Sequence, residues 1–167
     1  MRDLKRDVWI VPYLGLIMCS IALFTPAAFF ENIIWNHEII KWMMGFFQNT
    51  FNSIVNIGFY EEALQLVPSV IASSIVILSI LIIGIGLSKH RNDLKEGSIS
   101  LPNYIIPAIF IIGSTIFWIV MMEIAEWNIY DLSMWGRYVP GFGVIGLFIG
   151  AGLIIFGSLI TKFIRTS

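Results

Sequence analysis

Residues 63–88, ALQLVPSVIASSIVILSILIIGIGLS, run for 26 positions without an Asp, Glu, Lys or Arg. A helix needs about 20 mostly apolar residues to cross the hydrocarbon core of a bilayer. Inside that core the backbone N–H and C=O groups find no water, so the stretch has to be helical. Three further stretches carry no charge: 8–30, 97–122 and 138–161. They place helix 1 at 10–30, helix 2 at 63–88, helix 3 at 103–126 and helix 4 at 139–162. Between them lie an outer loop at 31–62, a cytoplasmic loop at 89–102 and a second outer loop at 127–138. All 167 residues then form a single four-transmembrane domain.

Composition supports this reading. The chain is 57% hydrophobic and 13% charged, whereas soluble domains carry roughly 25% charged residues. A formal net charge of −1 offers no basic face to a nucleic acid. With one cysteine, Cys19, the chain has no internal disulfide. The expected fold class is therefore all-α: an integral membrane four-helix bundle.

Lys and Arg set the orientation. Arg2, Lys5, Arg6, Lys89, Arg91, Lys95, Lys162 and Arg165 fall on one side of the spans, and only Lys41 and Arg137 on the other. The positive-inside rule puts the 8-residue side, with both termini, in the cytoplasm of a cell-membrane protein. The first apolar run, Val8 to Phe24, exceeds the usual 7–15 residues of a signal peptide, so helix 1 is expected to be retained.

The first outer loop contains HEIIKWMMGFFQNTFNSIVNI at 37–57. Projected at 100° per residue, His37, Glu38, Lys41, Gln48, Asn49, Asn52 and Asn56 gather on one side. Ile40, Met43, Phe47, Phe51 and Ile54 gather on the other. This spacing predicts an amphipathic interfacial helix in the extracellular loop, capped by Asn36 and ended by Gly58. Trp35, Trp42, Trp127 and Trp135 fall at the outer boundary as an aromatic belt, with Trp9 at the inner one.

Two constellations stand out. Helix 4 carries Gly143, Gly146, Gly150 and Gly157 within one narrow arc of the helical wheel, including the G-x-x-x-G of 146–150. Association in lipid favours such close backbone approach, so this stripe is the expected helix-packing seam, against helix 1 (Gly15, Cys19, Ala22) or helix 2 (Ser69, Ala72, Ser73, Gly84), or against a second copy in a homo-oligomer. The other constellation is acidic: Glu61 and Glu62 at the start of helix 2, Glu123 and Glu126 at the end of helix 3. These carboxylates form a candidate outer patch, read as a solvated rim, with pairing to Arg137 or hard-oxygen binding of a cation as the alternatives.

Stretches 8–30, 63–88, 103–122 and 138–161 lack the buried Asp, Glu, Lys, Arg or His that mark proton and ion pathways. Asp3, Asp7, Asp93 and Asp131 lie outside them, as do His37 and His90, which fall on opposite sides. A serine nucleophile would have no histidine base in the membrane, and no phosphate-binding glycine loop precedes a Lys-Ser/Thr pair. No catalytic residue, metal ligand or cofactor is therefore expected.

In outline the layout resembles the claudin-like tetraspan group: both ends inside, a large first outer loop, a short second one and a glycine-rich last helix. That group's Trp-Gly-Leu-Trp-Cys-Cys signature is absent, since the corresponding region has Trp35 and Trp42 but no cysteine. The tetraspanin Cys-Cys-Gly motif is absent too. The likeness is one of topology alone and assigns no residue a role.

The expectation for function is a non-catalytic accessory, scaffold or interaction subunit that meets a membrane-protein partner at its outer face. A small oligomeric channel or passive carrier, and a membrane enzyme using the outer carboxylates with a metal, are the alternatives.

Overall fold

A computed structural model describes residues 10–32, 36–89 and 104–166, the last six by their backbone only. Trp9, Trp35, His90 and most of the cytoplasmic Lys and Arg residues used for orientation lie outside the described side chains.

Three helices are long and apolar enough to cross a membrane: α2 (Ala63–Lys89), α3 (Ile105–Tyr130) and the Phe142–Ile160 part of α4 (Phe142–Thr166). A shorter apolar helix, α1 (Ile10–Phe24), precedes them. Exposed aliphatic rows such as Leu14, Ile17 and Ile21 on α1, or Leu78, Leu81, Ile82 and Ile85 on α2, are what a hydrocarbon solvent would meet. The sides turned inward mix small or polar residues, such as Gly15, Cys19, Ser69 and Ala72, with larger ones such as Ile83 and Leu87.

The fold is not all-α. Five strands form one antiparallel sheet in the order β4-β3-β2-β1-β5: β1 (Ala28–Asn32), β2 (His37–Lys41), β3 (Phe46–Phe51), β4 (Ile54–Phe59) and β5 (Val139–Pro140). The amphipathic helix expected over 37–57 is therefore replaced by β2, β3 and most of β4. Turn chemistry explains the difference. Gly45 adopts φ +93° between β2 and β3, a conformation open to glycine and costly for other residues. Asn52 and Ser53 both take positive φ, 47° and 69°, as a two-residue hairpin turn that matches the twist of its strands. Between these turns stand short runs of aromatic and β-branched residues, FFQNTF and IVNIGF, which suit a pleated surface.

Helix 1 also stops earlier than expected, at Phe24 rather than residue 30. Pro26 has no N–H to offer and disfavours a helical Thr25. Thr25 turns back instead, donating both its N–H (3.1 Å) and its hydroxyl (2.9 Å) to the Ala22 carbonyl. The chain then enters β1. At the far end, α3 runs to Tyr130 and closes with Asp131 in the left-handed region, its N–H donating to Trp127 O at 3.0 Å.

The sheet sits at one end of the helices and is tied to α1 and α4 through backbone. Ala27 N donates to Lys41 O, Gly141 N to Ala27 O and Gly143 N to Pro26 O, each at 2.8 Å. Below this junction α1 and α4 approach backbone to backbone. A Cβ placed on Gly150 would lie 2.5 Å from Cys19 Sγ and 2.8 Å from Gly15 O. On Gly146 it would lie 2.8 Å from the Ala22 methyl, on Gly157 2.7 Å from Pro12 Cδ, and on Gly143 2.7 Å from Thr25 O. All four glycines of the stripe thus face α1 and its exit turn, not α2. The α2–α3 contact is built around Trp118, which is fully buried and donates its indole N–H to Ser69 Oγ at 2.9 Å.

Candidate functional site: the outer sheet and the pocket beneath it

Strand side chains alternate between faces, and the register divides the sheet cleanly. Ala28, Phe30, Ile39, Lys41, Phe47 and Asn49 point toward the helices. Phe29, Ile40, Phe46, Gln48, Val55, Ile57, Phe59 and Val139 point away.

On the inner face the decisive residue is Lys41, the last of β2. Its ammonium forms an ion pair with the Glu126 carboxylate of α3, and the two side chains are only 6% and 2% exposed. Gln65, near the start of α2, donates its amide N–H to the same carboxylate oxygen at 2.8 Å. Tyr138 and Tyr60 present their rings to the ammonium at 4.8 Å and 5.7 Å from the centroids. Burial of both charges is expensive, and what offsets it is pairing together with hydrogen bonds to the remaining lone pairs. Desolvation pushes the Lys41 pKa down, the Glu126 carboxylate holds it up by charge and hydrogen bond, and Arg137 opposes it. Burial raises the Tyr60 and Tyr138 phenols above their ordinary value, and the Glu126 charge adds to both shifts.

Around this pair lies a pocket of about 300 Å³. It is lined by Ile39, Phe47 and Asn49 from the sheet, Gln65, Glu126 and Tyr130 from the helices, and Arg137 and Tyr138 from the segment that enters β5, with Lys41 and Tyr60 completing it. Tyr60 stacks parallel to Phe47 with centroids 6.1 Å apart and donates its hydroxyl to Trp42 O at 3.2 Å. The Arg137 guanidinium lies over the Phe30 ring at 5.2 Å.

The outer face is different in kind. Val55, Ile57 and Phe59, on the β4 edge, are 56%, 66% and 69% exposed, and Phe29 and Val139 are exposed at the opposite edge. Trp42 stacks on Phe46 at 5.2 Å, and Phe46 meets Phe59 edge-on at 6.4 Å. These apolar side chains share the face with Gln48, between Ile40 and Ile57, and with the row Glu31, Glu38 and Thr50.

The four carboxylates of the expected acidic patch differ in burial and in partners. Glu61 and Glu62 are exposed at the start of α2, where the Glu62 carbonyl receives the Gln65 and Leu66 N–H groups at 3.0 Å. Glu123 accepts from Trp127 Nε1 at 3.0 Å and from the Trp135 backbone N–H at 3.1 Å. Glu126 is buried, and its partner is Lys41, not Arg137. Among the described residues no three of His, Cys, Asp and Glu gather in a metal-holding group. Trp135, counted with the belt, is half-buried against Trp118 with centroids 6.4 Å apart, and donates its indole N–H to Ile119 O at 3.3 Å. The sequence reading missed Lys41 as a buried group, and Gln65, Tyr60 and Tyr138 around it. The one trace of them in the sequence is polarity out of place: a lone Lys in an apolar-rich loop, and a Gln three residues after the last charge before helix 2.

No family model matches the chain, and no curated protein matches it in sequence.

Proposed function

We propose that the chain is a non-catalytic, four-spanning membrane protein, both termini cytoplasmic, that works as an accessory or scaffold subunit by docking a second membrane protein on the outer face of its sheet. The observation that carries this reading is the set of apolar side chains on that face, Phe29, Ile40, Val55, Ile57, Phe59 and Val139, five of them exposed. Exposed apolar side chains gathered on one sheet face outside the helices mark an interaction site more often than an idle one. Its base is firm, because β1 and β5 run directly into helices and Lys41 anchors β2.

Four spans follow if α1 crosses with the others: its 15 described residues cover about 22 Å, and the uncharged stretch extends back to Val8. The 8-to-2 distribution of Lys and Arg then supports a cytoplasmic location for both ends. The channel reading has less support. Ser73, Ser114, Thr115 and Ser158 are buried and donate their hydroxyls to carbonyls of their own helices at 2.7–2.8 Å, which spends their protons locally.

The test is photo-crosslinking in native membranes from a reactive residue placed at Ile57, with Leu132 as the exposed control outside the sheet. A discrete crosslinked species from position 57, absent from position 132 and lost in an I57S/F59S variant of unchanged thermal stability, is the expected result. Only lipid adducts from position 57 would overturn the reading.

A further inference from the structure

We propose that the pocket under the sheet binds an oxyanion, a phosphate or carboxylate group carried either by a small molecule or by an outer-leaflet lipid. The inference is independent of the docking face, since it concerns the opposite side of the sheet.

The argument rests on which groups are already occupied. The one carboxylate in the lining, Glu126, is engaged by Lys41 and Gln65. The lining therefore carries two cations, Lys41 and Arg137, against one anion, a net of +1. Beside two acceptors free among the described residues, Glu126 Oε2 and the Gln65 carbonyl oxygen, what remains unspent is donor capacity. The hydroxyls of Tyr130 and Tyr138 make no hydrogen bond among the described residues. Asn49 has its carbonyl oxygen 3.0 Å from His37 Nε2, which leaves its amide N–H groups for the pocket. Arg137 has no carboxylate partner among the described residues. Its guanidinium is held by the Phe30 ring at 5.2 Å, a contact that orients the fork without consuming its hydrogen bonds.

A planar guanidinium matches phosphate or carboxylate oxygens two at a time. The Tyr and Asn donors supply further contacts, and the buried Lys41–Glu126 pair sets the floor. Ile39 and Phe47 give the remaining wall an apolar surface, suited to a ligand with a hydrocarbon part next to its anionic group. About 300 Å³ is at the small end of the volumes that ligand sites occupy, room for one headgroup or one small acid.

The experiment uses the full chain, purified in neutral detergent or reconstituted in nanodiscs. Binding is read by isothermal titration of inorganic phosphate and of acetate, with chloride at matched ionic strength as the reference. A second arm compares thermal stability in nanodiscs of phosphatidylcholine with and without phosphatidylglycerol. Saturable binding of phosphate or acetate, or stabilisation specific to phosphatidylglycerol, supports the proposal; the first identifies a free anion and the second a lipid headgroup. In either case R137Q lowers affinity about tenfold or more, and R137K restores it only in part. Y138F, which keeps the ring over Lys41 and removes only the hydroxyl, weakens binding more mildly. Arg137 is exposed, so R137Q leaves the fold standing, and equal melting of the variant and parent without ligand checks this. No response beyond that of chloride in both arms, or an R137Q protein that binds as the parent does, overturns the proposal.

Discussion

Lys41 and Glu126, 85 positions apart in the chain, form an ion pair that fastens the second strand of the sheet to the third long helix, with both side chains almost wholly buried. Among the described residues it is the only salt bridge, and it stands where sheet and helices meet.

Removing one partner therefore costs more than removing both. K41M leaves the Glu126 carboxylate buried with Gln65 as its remaining donor, and this destabilises the sheet by about 3–5 kcal/mol. K41M/E126Q removes the orphaned charge, keeps an amide beside Gln65, and recovers most of that loss. Denaturant unfolding in detergent, followed by proteolysis of segment 36–60, measures both. A double variant as unstable as K41M would show that packing, not charge, governs this joint.

A second expectation concerns the glycine seam. Leucine at Gly150 has no room against Cys19 and the Gly15 carbonyl, so G150L separates α1 from α4 and costs about 1–3 kcal/mol or more. At Gly152 a Cβ meets nothing within 4 Å, so G152L stays within about 0.5 kcal/mol of the parent. Cys19 is the chain's single cysteine and is fully buried. Labelling by a membrane-permeant maleimide therefore rises in G150L and not in G152L.

The indole of Trp118 gives a third. Ser69 is the acceptor of its buried N–H, and S69A leaves that donor without a partner, at a cost of about 1–2 kcal/mol. Ser73 donates only to carbonyls of its own helix, so S73A costs less. Melting curves of the two variants, which differ by one turn of α2, make the comparison.

A fourth is spectroscopic and alkaline. Tyr60 and Tyr138 have phenol pKa values raised by burial and by Glu126. In the unfolded chain both would ionise near pH 10, while the folded state keeps them protonated. The folded state thus binds more protons above pH 10, and stability contributed by these groups falls as pH rises through that region. Absorbance at about 295 nm should show these two of the five tyrosines ionising only with the loss of the sheet. Y60F and Y138F each remove one late-titrating phenol. Ionisation near pH 10 in a folded protein that is lost in Y60F or in Y138F would contradict the burial of that phenol.

The long helices were legible because hydrocarbon imposes one demand on every residue of a span, and an uncharged run of the right length answers it. The glycine stripe was legible for the same reason, although which helix it meets was not, since small residues occur on both candidates. The sheet was hidden by a coincidence of spacing. Ile40, Met43, Phe47, Phe51 and Ile54 fall at helical intervals, yet Ile40 lies on the outer face, Met43 in a turn, and Phe47 on the inner face. Better signals were local: Gly45 in the middle of the supposed helix, four asparagines of low helix propensity within and beside it, and Asn52-Ser53 between two apolar-rich runs. The Lys41–Glu126 joint could not be read at all, because a residue in a loop and one on a helix become neighbours only once the strand register is known.

The sheet's junctions also have a mechanical meaning. The first strand leaves α1 after three residues and the last enters α4 after one, and those two helices touch through bare backbone at Gly15 and Gly150. No slack linker intervenes at either point. A sideways pull on the exterior is thus delivered as torque to the α1–α4 pair at one edge and, through the three residues between β4 and α2, to α2 at the other, while α3 is reached only through the longer 131–138 segment and across side chains.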